Sequence, residues 1–163
     1  MEQQRVTPER ITHLEKNEIF VFGSNLAGAH GGGAAYIAYR KFGAIWGQGV
    51  GLQGQSYGIP TMQGGVETIK PYVDEFIEFA RQHPDLTFLV TRIGCGIAGF
   101  TNEQISPLFA EAHNIANIVL PLGWYYSGID FDFLFSTHGP EHVHGQCCQF
   151  IFSRIDKYWS EVT

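Results

Sequence analysis

The feature that most constrains the fold of this chain is a glycine-dense turn that directly follows a short apolar run. The run Phe88-Leu89-Val90 leads into residues 91–100, which contain three glycines. A short, bounded apolar run predicts a strand buried on both faces, and glycines after it leave backbone amides uncovered by side chains. Because such amides bind anions, the sequence predicts an anion-binding loop at the end of this strand.

A second loop of the same kind lies earlier in the chain. The apolar run Ile19–Phe22 opens into a polar turn, then into three consecutive glycines and a helical pattern. Two such loops predict a site that clasps a diphosphate. The residues predicted to bind the ligand are Gly23, Ser24, Asn25, Gly31, Gly32, Gly33 and Ala34 in the first loop, and Ile93, Gly94, Cys95, Gly96, Ile97, Ala98, Gly99 and Phe100 in the second.

The order of apolar runs and helical patterns predicts an α/β fold. A third run at Ile118–Leu120 resembles the first two, and helical patterns separate the three. Strands that alternate with helices favour a layered domain whose ligands bind at the carboxyl ends of the strands. Both glycine loops are expected at that edge.

Three helices are expected between these strands. The first covers Ala34–Phe42, and the second begins with Pro71 as its first helical position. The third follows the second glycine loop and begins either at a Thr101-x-x-Gln104 capping box or only after Ser106, because Pro107 disfavours an uninterrupted helix.

Two other segments have weaker patterns. Residues 44–65 are rich in glycine and glutamine, which predicts a loop-dominated rim around one short strand near residues 56–59. The apolar run at residues 150–152 is interpreted as a final edge element. No internal repeat or linker is evident, so residues 1–163 are expected to form a single domain.

Charge and composition exclude several classes of function. Sixteen acidic against ten basic residues give a net charge of −6, and no basic cluster is present, so nonspecific nucleic-acid binding is not expected. We expect no membrane association and a cytoplasmic location, since no long apolar window or secretory signal is evident. Three cysteines, two of them adjacent, are interpreted as reduced thiols, and no cofactor is expected.

Two polar residues of the first loop are candidate catalytic groups. The carboxamide of Asn25 is suited to bonding ribose hydroxyls or orienting a water, but an Asx turn explains it equally well. His30 is a candidate general acid or base, although a loop histidine bonded to the backbone is the favoured interpretation.

Aromatic and sulfur-containing side chains add further candidates. Phe100, Tyr57 and Trp46 each offer a face on which a planar ring can stack, although burial in the core is the favoured interpretation for each one alone. Cys95 is interpreted as a packing thiol because no histidine neighbour is evident to support a nucleophile.

A cluster of histidines and cysteines near the carboxyl end raises the question of a metal site. The spacing of these residues matches no standard zinc pattern, and polar loop histidines with small buried thiols are the favoured interpretation, so no metal site is predicted. The residues concerned are His138, His142, His144, Cys147 and Cys148.

Two separated motifs stand out: Asn25-Leu26 followed by Gly31-Gly32-Gly33-Ala34-Ala35 and Lys41-Phe42-Gly43, and Arg92-Ile93-Gly94-Cys95-Gly96-Ile97. Together they resemble macrodomains, and most of all the branch that includes terminal ADP-ribose protein glycohydrolases. The resemblance is collinear over about residues 18–112. It implies a three-layer α/β/α fold with a mixed, mostly parallel sheet, and a cleft in which the two loops wrap the diphosphate and distal ribose of ADP-ribose.

The departures from that family concern its chemistry. Where the glycohydrolase branch has a catalytic lysine, this chain has Thr61-Met62, and where it has an aspartate after the second loop, this chain has Ala98. The acidic residue that another branch places after the glycine run is also missing, and the aspartate that reads adenine has its best local match around Arg10 or Ile11. A lysine-aspartate covalent mechanism is therefore not expected.

Three functions follow from these observations. The first is binding of ADP-ribose or a related nucleotide diphosphate, with an ADP-ribosylated macromolecule as a further partner. The second is an ADP-ribosyl hydrolase in which Asn25 positions a water and a substrate phosphate or His30 assists. The third is protein interaction through an exposed cluster at residues 124–126. Binding is the leading hypothesis.

Overall fold

The computed structural model describes residues 5–125, which form a mixed α/β fold with a five-stranded sheet. The strand order is β2-β3-β1-β4-β5, and every pairing is parallel except the antiparallel pair β2 and β3. The mixed, mostly parallel sheet is therefore confirmed. The strands are β1 (Glu18–Ser24), β2 (Gly51–Gln53), β3 (Ser56–Pro60), β4 (Thr87–Val90) and β5 (Ile118–Val119), and the α-helices are α1 (Gly33–Lys41), α2 (Val66–Gln82) and α3 (Asn102–Ile105).

Strand β1 lies in the middle of the sheet, and its two faces pack against different helices. Phe20 and Phe22 lie in one apolar cluster with Ala38 of α1. Ile19 and Val21 lie in the other cluster, together with the apolar residues of α2. Successive side chains of a strand point to opposite faces, so the continuous apolar run predicted this burial on both sides.

Helix α1 agrees closely with the sequence prediction. It begins directly after Gly32, places Arg40 and Lys41 in its last turn where cations suit the helix dipole, and ends at Phe42. No side chain caps its N-terminus. The amides of the first turn therefore open toward the glycine run.

Helix α2 begins earlier than predicted. The sequence placed Pro71 at the first helical position, but Pro71 lies inside the helix, which starts at Val66. The added turn continues the apolar stripe through Ile69, which is fully buried. Proline removes one backbone hydrogen bond, and burial of the Ile69 side chain offsets that loss.

The capping box predicted at the third helix is present. The Thr101 side chain accepts from the Gln104 amide at 3.3 Å, and the Gln104 side chain accepts from the Thr101 amide at 2.9 Å. The helix α3 begins at this capping box, as the first alternative predicted, but it is a single turn. At Ser106, where the second alternative placed the start, the chain passes into a 3-10 segment, Ser106–Asn114.

The predicted rim at residues 44–65 contains more regular structure than expected. The short strand near residues 56–59 is present as β3, but β2 was not predicted. None of the helices within residues 5–125 is long and apolar enough to cross a membrane. The edge element predicted at residues 150–152 lies outside the described residues.

Candidate functional site

The carboxyl ends of β1, β3 and β4 meet at one point of the sheet edge. A methyl group placed on Gly23 would lie 3.3 Å from the amide nitrogen of Gly94 and 3.2 Å from Oγ1 of Thr61. Thr61 in turn donates its backbone amide to the Ser24 carbonyl at 2.9 Å. We call residues 23–34 the first glycine loop and residues 91–100 the second glycine loop, and this junction places the starts of both side by side.

The two glycine loops also touch further from the sheet. Cδ1 of Ile97 lies 3.2 Å from the position that a Cβ of Gly32 would occupy and 3.6 Å from that of Gly33. Ile97 is nevertheless 75% exposed, so it rests on the glycine run without being covered. The structure thus brings the glycine run of the first loop together with Ile97 of the second, whereas the predicted residues Ser24 and Ile93 are buried below this surface.

Several backbone amides on this surface have no hydrogen-bond partner among the residues that the structure describes. Within residues 5–125 the amides of Gly94, Gly96 and Ile97 donate no hydrogen bond, and the first turn of α1 begins at Gly33 without a side-chain cap. Amides at a helix start and in a glycine turn are the groups that hold anions such as phosphates. The geometry therefore offers two sets of donors on facing loops.

The Asn25 carboxamide is engaged within its own loop. Its Nδ2 donates to the Ala29 carbonyl at 3.0 Å, and its Oδ1 accepts from the Ala29 amide at 2.9 Å. These bonds close the turn that leads into the glycine run, although the turn is wider than the predicted Asx turn, because the bonded residue lies four positions along the chain and not two. A catalytic role for Asn25 stays a prediction, and the contacts favour a positioning role.

His30 is fully buried behind the glycine run. Its Nε2 lies 2.9 Å from the Ile45 carbonyl and donates to it, and its ring meets Phe22 edge-on with centroids 5.3 Å apart. Its Nδ1 has no hydrogen-bond partner within residues 5–125. The backbone-bonded interpretation is confirmed, while its role as a general acid or base stays a prediction that solvent exclusion disfavours.

A third loop, residues 44–50, supports the first glycine loop from behind, and we call it the support loop. Gly47 donates its amide to the Gly28 carbonyl at 2.9 Å, and the Ser24 hydroxyl donates to the Gly49 carbonyl. A Cβ on Gly49 would collide with the carbonyl oxygen of Asn25. The two backbones approach so closely that only glycine fits at this contact.

Arg92 is the one residue of the two glycine loops with a formal charge, His being taken as neutral. No Asp, Glu, Lys or Arg occurs in residues 19–39, 42–66 or 93–102, which include both loops except Thr91 and Arg92. The nearest cation in the sequence, Arg92, lies 3.6 Å from the Glu9 carboxylate. An anion here would be recognised by backbone dipoles rather than by a basic side chain.

Cys95 lies half-buried in the second glycine loop, with Sγ 3.7 Å from Oδ1 of Asn102. Burial raises the pKa of its thiol, the Arg92 charge lowers that pKa, and Glu103 raises it again. A raised pKa keeps the thiol protonated at neutral pH, which agrees with a packing thiol rather than a nucleophile.

The three aromatic candidates for ring stacking occupy different environments. Tyr57 is buried in the core, where burial and then the Glu75 charge raise its pKa to about 12, and Phe100 is half-buried against the same cluster. Trp46, on the support loop, is 55% exposed. The interpretation as core holds for Tyr57 and is wrong for Trp46.

The exposed anchor predicted at residues 124–126 is not supported. Trp124 is fully buried, and its Nε1 donates to Oδ1 of Asn102 at 2.9 Å. Burial of the indole against Phe109 explains why an aromatic cluster near the chain's last described strand belongs to the core. Tyr126 lies outside the described residues.

The described part of the chain contains no candidate metal site. Residues 5–125 contain no group of three or more His, Cys, Asp or Glu side chains arranged to hold a metal ion. The cluster from His138 to Cys148 lies outside the described residues.

Comparison of the chain with protein-family models, curated proteins and solved structures found no match. The site is therefore interpreted from its geometry. The sequence identified the two glycine loops, a loop-rich rim that includes residues 44–50, and Trp46 as a stacking candidate, but not the contact between the support loop and the first glycine loop. The signal for the support loop was the glycine spacing at Gly47 and Gly49, which marks backbone-to-backbone approach.

Proposed function

We propose that this protein binds ADP-ribose or a related nucleotide diphosphate in the cleft between its two glycine loops. The observation that carries the proposal is the set of unpartnered amides on two loops in contact, with Ile97 lying against Gly32 and Gly33. One loop alone suits a single phosphate. Two facing sets of amides suit a diphosphate, because its neighbouring phosphates can each bond to one loop.

The resemblance to macrodomains favours ADP-ribose among nucleotide diphosphates. The mixed sheet, the helices that contact the two faces of β1, and the site at the carboxyl ends of β1 and β4 all agree with that family's arrangement. We therefore propose the three-layer macrodomain fold for this chain, and an ADP-ribosylated macromolecule as a further binding partner.

Binding is favoured over hydrolysis by the surroundings of the two catalytic candidates. Both polar ends of the Asn25 carboxamide bond to Ala29, and His30 is fully buried. Neither loop carries a carboxylate or an amine beyond Arg92 at its start. General acid or base catalysis needs such a group within hydrogen-bond reach of the substrate, so a hydrolase here would depend on the substrate's own phosphate.

Calorimetric titration with ADP-ribose, AMP, NAD and a uridine diphosphate sugar tests the proposal. The informative variant is Gly96→Glu, because a Cβ at Gly96 meets no atom within 4 Å and its backbone needs no left-handed conformation. The fold should tolerate the glutamate, whose carboxylate then repels a diphosphate at the loop. Gly94→Glu is less suitable, since Gly94 packs against Ile105.

Gly123→Glu provides a matched control, since Gly123 is also exposed with open space around it but lies outside both loops. We expect selective binding of ADP-ribose by the native chain and by Gly123→Glu, and at least a tenfold loss in Gly96→Glu. Absence of binding by the native chain at millimolar ligand would overturn the proposal, as would equal affinity in both variants.

A further inference from the structure

Trp46 is a large apolar side chain that is exposed and yet held in place. Its indole makes edge-on contacts with Tyr39, at a centroid distance of 5.5 Å, and with His30, at 6.3 Å. More than half of its surface remains open to solvent. These ring contacts limit the orientations open to the indole, which lowers the entropy cost of using it in binding.

The backbone around Trp46 is fixed on both sides. The Ile45 amide donates to Oε1 of Gln53 at 2.8 Å, and the Ile45 carbonyl accepts from Nε2 of His30. On the other side, the Gly47 amide donates to the Gly28 carbonyl at 2.9 Å. Three hydrogen bonds to two segments, β2 and the first glycine loop, thus hold the backbone on both sides of this exposed indole.

This indole lies directly beside the glycine run. Its Cη2 lies 3.9 Å from the position that a Cβ of Gly31 would occupy, while Ile97 approaches the next two glycines, Gly32 and Gly33. The same short run therefore has bare amides and two exposed apolar side chains beside it. A nucleotide has groups that match these two features, since its charged phosphates suit the bare amides and its planar base, one ribose away, suits an apolar side chain.

We propose that Trp46 is the stacking platform for the base of the bound nucleotide. The inference rests on the proposed diphosphate site, and it adds a subsite that the glycine loops do not provide. The support loop itself carries no formal charge, so it offers no charged side chain to pair with a charged peptide, whereas an indole stacks well on a neutral heteroaromatic ring. His30 is then a positioning residue that fixes the Ile45 carbonyl next to the indole.

The test compares a ligand that has a base with one that lacks it. Affinities for ADP-ribose and for inorganic diphosphate are measured for the native chain, Trp46→Ala and Trp46→Phe. Trp46→Ala should weaken ADP-ribose binding by about tenfold, the loss typical of a missing stacked base, and leave diphosphate binding within twofold. Trp46→Phe keeps a ring face and should retain ADP-ribose affinity within about threefold.

Leu52→Ala is the control, because it also removes an exposed apolar side chain but lies on β2. Unfolding midpoints of all variants establish that each is folded before its affinity is interpreted. An equal loss for both ligands in Trp46→Ala would mean that Trp46 only supports the loop, and would overturn the stacking role. Unchanged ADP-ribose affinity, with the indole serving another partner such as a protein, would overturn it too.

The two proposals fail in different ways. If the native chain binds diphosphate and ADP-ribose, and the Trp46 variants bind them equally well, only the proposal of a base subsite is contradicted. If the native chain binds neither ligand, both proposals are contradicted. A second readout is tryptophan fluorescence, since the emission of exposed Trp46 should change on addition of ADP-ribose in the native chain and not in Trp46→Phe.

Discussion

The two glycine loops perform the same proposed task with opposite kinds of support. The first glycine loop is braced along its length by the support loop, through the contacts of Ser24 with Gly49 and of Gly28 with Gly47. The second glycine loop is held mainly by bonds within itself, such as Phe100 to Gly94 and Gly99 to Gly96, while a Cβ on Gly96 or Gly99 would meet nothing described within 4 Å. The difference suggests that one loop presents a preformed set of amides and the other adapts its tip to the ligand.

The largest expected effect is on stability when the bracing of the first loop is broken. Gly49→Ala places a methyl group onto the Asn25 carbonyl, and we expect a loss of about 3 kcal/mol in the free energy of unfolding. Gly96→Ala, at the open tip of the second loop, should change it by no more than about 0.5 kcal/mol. Urea unfolding measures both, and equal losses would mean that the two loops do not differ in support.

A second pair of substitutions separates the base of the second loop from its tip. Gly94 and Gly99 both have left-handed backbone, with φ of 73° and 80°, so alanine costs about 1 kcal/mol of strain at each. At Gly94 the new methyl would also lie 3.1 Å from Cδ1 of Ile105 and 3.3 Å from a ring carbon of Phe100. We expect Gly94→Ala to lose about 2 kcal/mol and Gly99→Ala about 1 kcal/mol.

Urea or thermal unfolding of the two variants gives the difference directly, and their shared strain cancels. A larger loss in Gly99→Ala would contradict the interpretation that the tip is open. It would show instead that the tip is packed in solution.

The sequence predicted the fold better than it predicted the support of the site. Burial on both faces of β1 follows from a continuous apolar run, and the capping box of α3 follows from Thr101 and Gln104, because both are local patterns. The start of α2 was missed because its N-cap, Gly65, carries no capping side chain. Helix starts without a capping residue leave little local signal.

The site itself depends on contacts between distant segments. The glycines of both loops were recognisable from the sequence, because they cluster after strands. The approach of Gly49 to Asn25 joins residues of two separate loops, and although the glycine at position 49 marks a close approach, nothing local names the segment that it approaches. Exposure of Trp46 and burial of Trp124 likewise follow from tertiary packing, since both are tryptophans in aromatic-rich stretches.

A smaller effect is expected from the turn that starts the first loop. Asn25→Ala removes the two hydrogen bonds to Ala29, at a cost of about 1 kcal/mol, while the support loop keeps the remaining backbone in place. If the carboxamide only positions the loop, a variant that loses more stability should also lose more affinity for ADP-ribose. Asn25→Asp, which keeps the acceptor for the Ala29 amide, should recover part of the stability.

Calorimetry and urea unfolding of Asn25→Ala and Asn25→Asp measure these changes together. A variant with native stability but no affinity would instead assign Asn25 a direct contact with the ligand. Release of ADP-ribose from a modified protein by native chain, abolished in Asn25→Ala, would favour the hydrolase hypothesis over binding.

The smallest expected effect concerns the thiol of Cys95, which tests whether the second glycine loop is exposed to solvent near the sheet as well as at its tip. Burial raises the pKa of the Cys95 thiol, with opposite contributions from Arg92 and Glu103. Alkylation by iodoacetamide, followed at the Cys95 peptide by mass spectrometry, should therefore reach half its maximal rate at a higher pH than for a free cysteine.

The same raised pKa makes the free energy of unfolding depend on pH. Because the folded chain holds the Cys95 proton more tightly, the contribution of this thiol to stability is fully present below the pKa of the unfolded thiol and is lost as the pH rises through the higher pKa of the folded thiol. Cys95→Ala removes that pH dependence, so native and variant unfolding curves should diverge most at neutral pH and converge in alkali. An alkylation midpoint equal to that of a free cysteine would mean that Cys95 is solvated in solution, and that the open part of the second loop includes its base as well as its tip.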